Sequence, residues 1–277
     1  MSSFLENYKR QPKIYIDLPM SMYYPKGTLE DDQAVSLPVF GMTAADEILL
    51  KTPDALFNGE ATKSIIKSCI PAIQNPGMMP TMDVDFCLLA IRIATYGETL
   101  DMNVKCNECG TISTFALNLQ GYLEHFQGRQ FANTCTIEGL KFNFRPLMYQ
   151  ETNDFNLQNY NLQRQSVGLP EDWTQDQKDA HMSEVMKQLT NLQLEIMLRY
   201  IHSIEDPTGQ SGETDANAIN EFISKSDSLF YRKIKDHVDQ IKKEFDTPKE
   251  EVVCPECENK FKTAVNLDYS SFFGLRS

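Results

Sequence analysis

Met102-Asn-Val-Lys-Cys106-Asn-Glu-Cys109-Gly-Thr-Ile-Ser-Thr-Phe115-Ala-Leu-Asn-Leu119 is the stretch whose reading decides the fold. Two cysteines stand two residues apart, between short runs that alternate apolar and polar residues as strands do. Far along the chain the same figure returns as Glu250-Glu-Val-Val-Cys254-Pro-Glu-Cys257-Glu-Asn-Lys-Phe261-Lys-Thr-Ala-Val-Asn-Leu267. A CxxC loop presents two thiolates at the angle a tetrahedral metal needs, and two loops close the shell. Cys106, Cys109, Cys254 and Cys257 are therefore expected to hold one structural zinc ion, with 144 residues of chain between the hooks. Gly110 eases the turn of the first knuckle and Pro255 stiffens the second.

Three other readings of the hooks stay open at this point: a catalytic zinc, a thiol–disulfide pair, and reduced thiols that hold no metal. A catalytic zinc would leave one coordination position free and need a general base, which nothing nearby supplies. A thiol–disulfide pair would sit at a helix N-terminus in a βαβ setting, whereas each CxxC here lies between strands. The remaining cysteines are Cys69, Cys87 and Cys135; the first two fall in apolar helical patterns and read as small buried hydrophobes.

Outward from the first hook, Val35-Ser-Leu-Pro-Val-Phe40 reads as a strand, and Thr43 caps a helix to Leu50. A second helix is expected from Ala61 to Ile73, and a third opens at Asp83 and ends at Gly97. Residues 1–34 form a polar lead with one short strand at Ile14–Ile16, expected to wrap the body or a neighbour. Residues 120–132 read as a connector. Cys135–Ile137 and Leu140–Arg145 read as a hairpin turned at Glu138-Gly139, followed by a helix from Gln150 to Leu162. Thr174-Gln-Asp-Gln177 is a capping box that introduces a long helix to Ser203, with a stripe of Met182, Val185, Met186, Leu189, Leu192, Ile196, Met197, Tyr200 and Ile201. Two more helices, Asp215–Ser224 and Asp227–Phe245, precede the second hook.

The order of elements repeats. Strand, turn, helices, acid-started helix, strand, hook and strand occur in 35–119 and again in 135–267. The fold class expected is α+β: two related helix-plus-β-ribbon halves joined by a four-cysteine zinc ribbon. The divisions are an N-terminal arm (1–34), a first helical half with its knuckle (35–120), an expanded second half (121–249), and a C-terminal knuckle and tail (250–277).

The chain of 277 residues carries 39 acidic and 26 basic residues, a net charge of −13. Such a surface repels phosphates and anionic membranes, so neither nucleic acid nor membrane is an expected partner. The N-terminus lacks the apolar core of a signal peptide, and no apolar run approaches the ~20 residues that span a bilayer, which points to the cytosol. No P-loop, G-x-G-x-x-G or HExxH is present, and His125, His181, His202 and His237 are scattered. No small-molecule substrate and no enzymatic activity is expected. Met20-Ser-Met-Tyr-Tyr24 and Phe272-Phe-Gly-Leu275 read equally as core and as contacts for a protein partner.

Taken together, Leu37-Pro-Val-Phe through Leu50, the helices to Gly97, Val104-Lys-Cys-Asn-Glu-Cys-Gly and the tail motif Asp268-Tyr-Ser-Ser-Phe-Phe273 are similar to the baseplate hub assembly proteins of T-even-type contractile-tailed phages. The likeness covers 35–119 well and 250–275 fairly; 146–247 agree only in element order, and the chain is longer than the short members. The resemblance implies a non-enzymatic role in building the baseplate hub, as assembly factor or virion subunit, with other baseplate proteins as partners. It implies a location in the virion tail baseplate, the host cytoplasm during assembly, or both. The alternative, from the zinc hooks alone, is a cytosolic zinc-ribbon adaptor or regulator, with nucleic acid as one candidate ligand.

Overall fold

The computed structural model describes residues 9–32, 35–50, 59–170 and 172–264. Helices alternate with small antiparallel sheets, an α+β architecture. The chain divides into two compact units. The first holds residues 1–130 and takes the chain back at 245–277; the second is 131–244.

In the first unit, β1 (Pro12–Ile16) pairs antiparallel with β2 (Leu37–Phe40), Ile16 opposite Leu37. The polar lead therefore does have a structural place: Ile16, Leu18, Met20 and Leu29 are buried in the body of this unit. α1 (Ala44–Leu50), α2 (Glu60–Cys69) and α3 (Thr81–Tyr96) follow. α3 is apolar nearly all round, and everything from Phe86 to Ala94 is buried, which makes it the central helix. Its C-terminal end approaches the backbone of Gly41 so closely that a β-carbon there would meet the Ala94 carbonyl oxygen at 3.1 Å. Cys69 and Cys87 are fully buried, as small hydrophobes are. Arg10 lashes the arm down, donating to the carbonyls of Gly41 and Ser68 and covering the Phe40 ring.

β3 (Thr99–Lys105) and β4 (Ile112–Asn118) form the first hook's ribbon. Residues 120–132 are not merely a connector. Leu119–Gln127 is a helix, α4, capped by the Asn118 side chain on the Gln120 amide at 3.0 Å. Its Leu119, Tyr122, Leu123 and Phe126 recur at helical spacing and are buried.

The second unit is built on a four-stranded antiparallel sheet in the order β5 (Thr134–Ile137), β6 (Leu140–Phe144), β7 (Ile201–Glu205), β8 (Gly212–Glu213). Between β6 and β7 stand α5 (Tyr149–Gln165) and α6 (Gln175–Arg199). The expected long helix to Ser203 thus ends four residues early, because Ile201-His-Ser-Ile-Glu leaves it to pair with β6. Of the apolar stripe, Val185, Leu192 and Met197 are buried on α6, while Met186 is 57% exposed. Glu151 ties the base of the two helices together, accepting two bonds from Arg145 (2.7 and 2.8 Å) and one from Arg199 (3.0 Å). α7 (Ala216–Ser224) and α8 (Ser228–Glu244) complete the core, with Phe230 of α8 against Phe142 of β6.

The chain then re-enters the first unit as β9 (Glu250–Val253) and β10 (Lys260–Thr263), the second hook's ribbon. The tail segment with Phe272, Phe273 and Leu275 lies outside the described residues. Among the described residues no helix is long and apolar enough to cross a membrane.

Candidate metal centre

Each hook is a six-residue turn between paired strands, 106–111 and 254–259. The two turns are built alike, residue for residue. In the first, the Cys106 amide donates to the Thr111 carbonyl (2.9 Å) and the Gly110 amide to the Cys106 carbonyl (3.1 Å). In the second, Cys254 donates to Asn259 (2.9 Å) and Glu258 to Cys254 (3.0 Å). Both need a left-handed residue four places after the first cysteine. Gly110 supplies it at φ +73°, and Glu258 adopts it at φ +58° with a side chain attached. The first cysteine of each hook is buried and the second is exposed.

The hooks meet. Cys106 Sγ lies 3.7 Å from Cys257 Sγ, and Cys109 Sγ lies 3.6 Å from Cys254 Sγ. All four sulfurs fall within 4.8 Å of one another. A tetrahedral ion with ~2.3 Å bonds to sulfur needs sulfurs about 3.8 Å apart, so the cross-hook distances fit such a shell closely.

The electrostatics point the same way. Backbone N–H groups aimed at sulfur favour thiolates: the Cys109 amide lowers Cys106, and the Thr111 hydroxyl and amide bring Cys109 down to about 6. Cys257 is also drawn down by the Asn259 amide, but the Cys109 sulfur, desolvation and the sulfurs of Cys254 and Cys106 together outweigh it and push Cys257 up to about 12. Four thiolates this close repel one another, and a bound cation is what would let all of them ionise together. The cluster has the donor set, the spacing and the charge demand of a metal site. All four cysteines singled out in the sequence are in it, and no other group of three or more potential ligands occurs among the described residues.

Two contacts outside the sulfurs escaped sequence reasoning. Tyr122 of α4, 2% exposed, donates to Glu250 Oε1 at 2.6 Å and so moors β9 to the body of the unit. Asn259 Nδ2 donates to Asn107 Oδ1 at 2.7 Å across the two hooks. The helical spacing of residues 119–126 could have signalled Tyr122; a lone asparagine in a turn carries no such signal.

Fold and site together define an α+β protein whose two cysteine hooks, far apart in sequence, converge on one potential metal centre. A family model described as T4 bacteriophage base plate protein matches residues 29–274, a span that includes both hooks, and the chain belongs to that family. No curated protein and no solved structure matches it. Membership makes this a phage baseplate protein, places it with the virion tail among other baseplate proteins, and suggests a role that is not enzymatic.

Proposed function

We propose that the chain acts in the baseplate hub, as a structural subunit or as an assembly factor, through protein–protein contacts and without catalysis. Cys106, Cys109, Cys254 and Cys257 hold one structural zinc ion in this reading. Four soft thiolate donors in a closed tetrahedral shell suit zinc and leave no position for a substrate. The ion would staple the returning segment to the first unit, and the cysteines would take no part in a reaction. Host cytoplasm during assembly is the expected setting for the newly made chain.

The observation that carries the proposal is the family match from residue 29 to residue 274, which runs through both hooks. The likeness of the two turns, down to their hydrogen bonds and left-handed residues, supports a second part of the reading. The chain would be a duplication whose copies are 35–119 and 135–267, the second copy ending in the C-terminal knuckle. Sequence copies and compact units would then be different divisions: in this reading the second hook descends with the second copy, while it packs in the first unit.

Disrupting the gene in the phage tests the role. The expected result is loss of complete tails, with hub proteins left unassembled and this chain co-purifying with one of them from an infected cell. Normal tails and normal infectivity would refute it. Metal analysis of the purified chain should find about one zinc. DNA binding at moderate salt would favour the adaptor reading instead.

A further inference from the structure

The fifth residue after the first cysteine of each hook carries a side-chain hydrogen-bond donor: Thr111 in one, Asn259 in the other. They point to different places. The Thr111 hydroxyl bonds to Cys109 within its own hook. Asn259 reaches into the opposite hook, where its Nδ2 donates to Asn107 Oδ1 at 2.7 Å and stands 4.0 Å from Cys106 Sγ. A primary amide nitrogen has two N–H groups, so one can hold Asn107 while the other faces the sulfur. Asn107 adjoins Cys106 in the chain, which anchors the amide on that cysteine's own loop. Turning the amide over would set its oxygen against the Cys106 sulfur, which a metal-bound thiolate disfavours, so in the metal reading Asn259 keeps its nitrogen there and Asn107 presents its oxygen. The mirror contact cannot form, since Pro255 holds the place in the second hook that Asn107 holds in the first.

We infer that Asn259 is a positioning residue of the metal centre: it clamps the second hook onto the first and directs an N–H at the Cys106 sulfur, so that this side chain strengthens both the docking of the hooks and the retention of the metal. This rests on the metal reading above. The two contacts exist only when the hooks meet, and an N–H at a thiolate withdraws charge from it. Outer contacts of this kind orient first-shell ligands and typically govern metal affinity 10–100-fold.

The test uses the full chain with Asn259→Ala, Asn259→Asp and Asn107→Ala. Zinc affinity is read by competition with a chromophoric chelator. Thiolate donation is read from the sulfur-to-metal charge-transfer absorption of the cobalt(II)-loaded protein. Asn259→Ala should hold zinc about 10–100-fold less tightly and move the absorption to longer wavelength, as the thiolate becomes a stronger donor. Asn259→Asp should weaken zinc at least as much, and Asn107→Ala should move both readings in the same direction by less. If Asn259→Ala does not fold, Asn107→Ala decides: no change in either reading overturns the inference. Zinc bound with unchanged affinity by Asn259→Ala overturns it. So does weaker zinc with an unmoved band, which would reduce Asn259 to packing. A parent chain that binds no zinc overturns the metal reading itself, a different outcome from any of these.

Discussion

Replacing Asp83 by Asn would remove a charge from the core of the first unit while keeping its hydrogen bonds. Asp83 sits in the first turn of α3 and is 1% exposed. Its Oδ2 accepts from the Met20 amide at 3.1 Å and from the Tyr24 hydroxyl at 2.5 Å, and so holds the N-terminal arm. Neither partner is cationic. Burial penalises the carboxylate more than the two donors favour it, and the group is raised from 3.8 to about 7. The folded chain therefore binds this proton more tightly than the unfolded chain does. The stability it contributes is fully present below about pH 4 and is lost as pH rises through about 7. At about 1.36 kcal/mol for each pH unit between those values, the loss is on the order of 4 kcal/mol as an upper bound. Asn accepts the same two hydrogen bonds and never ionises. Asp83→Asn should then match the parent within about 1 kcal/mol near pH 4 and exceed it by roughly 1–4 kcal/mol near pH 8. Urea unfolding of parent and variant in parallel across that range measures the difference, and titration of other groups cancels between the two. Parallel curves, or a variant less stable than the parent near pH 8, would refute the reasoning.

If the four cysteines hold zinc as proposed, Cys254→Ser should weaken or abolish its binding and lower the melting temperature as strongly as chelator treatment lowers the parent's; an unchanged melting temperature would argue that no metal is held there. Tyr122→Phe deprives Glu250 of its phenol and should cost about 1–2 kcal/mol, seen as faster amide exchange in β9, and unchanged exchange would deny that mooring. Gly110→Ala and Glu258→Gly should have opposite signs. The first loses about 1 kcal/mol for backbone reasons alone, because the added carbon would meet only Lys105 Cε at 3.8 Å. The second gains up to about 1 kcal/mol, less the extra freedom that glycine gives the unfolded chain. Changes of the same sign in a denaturant titration would show that the two turns are not equivalent.

What was legible in the sequence followed locality. The hooks could be read because ligand spacing in a CxxC loop is a local property, and because two thiolates leave a tetrahedral shell half empty, so a second pair must come from somewhere. Helices α2 and α3 could be read because Ile65, Ile66, Cys69 and then Phe86, Leu89, Ala90 and Ile93 recur with the helical period. Residues 119–126 carry the same period in Leu119, Tyr122, Leu123 and Phe126, but the strand before them runs into the helix without a break and hides its start. At Ile201 the pattern misleads in the other direction: the apolar run continues from α6 into β7, and only pairing with β6 decides where the helix stops.

Burial of Asp83 belongs to another class. An acid at a helix start is common on surfaces, where it favours the helix dipole. Here the arm folds over that helix end and brings Met20 and Tyr24 onto the carboxylate. Nothing local to residue 83 encodes this, because the contact depends on where residues 12–24 pack. The same arm shows how little a motif says about its use. Within Met20-Ser-Met-Tyr-Tyr24, Met20 is 1% exposed and Met22 is 79% exposed. The segment is thus core on one side and open surface on the other. Beside the β1–β2 pairing and the Arg10 bonds, the Asp83 proton adds to how firmly it is held, and acidity that protonates Asp83 should secure the arm while it leaves Met22 presented.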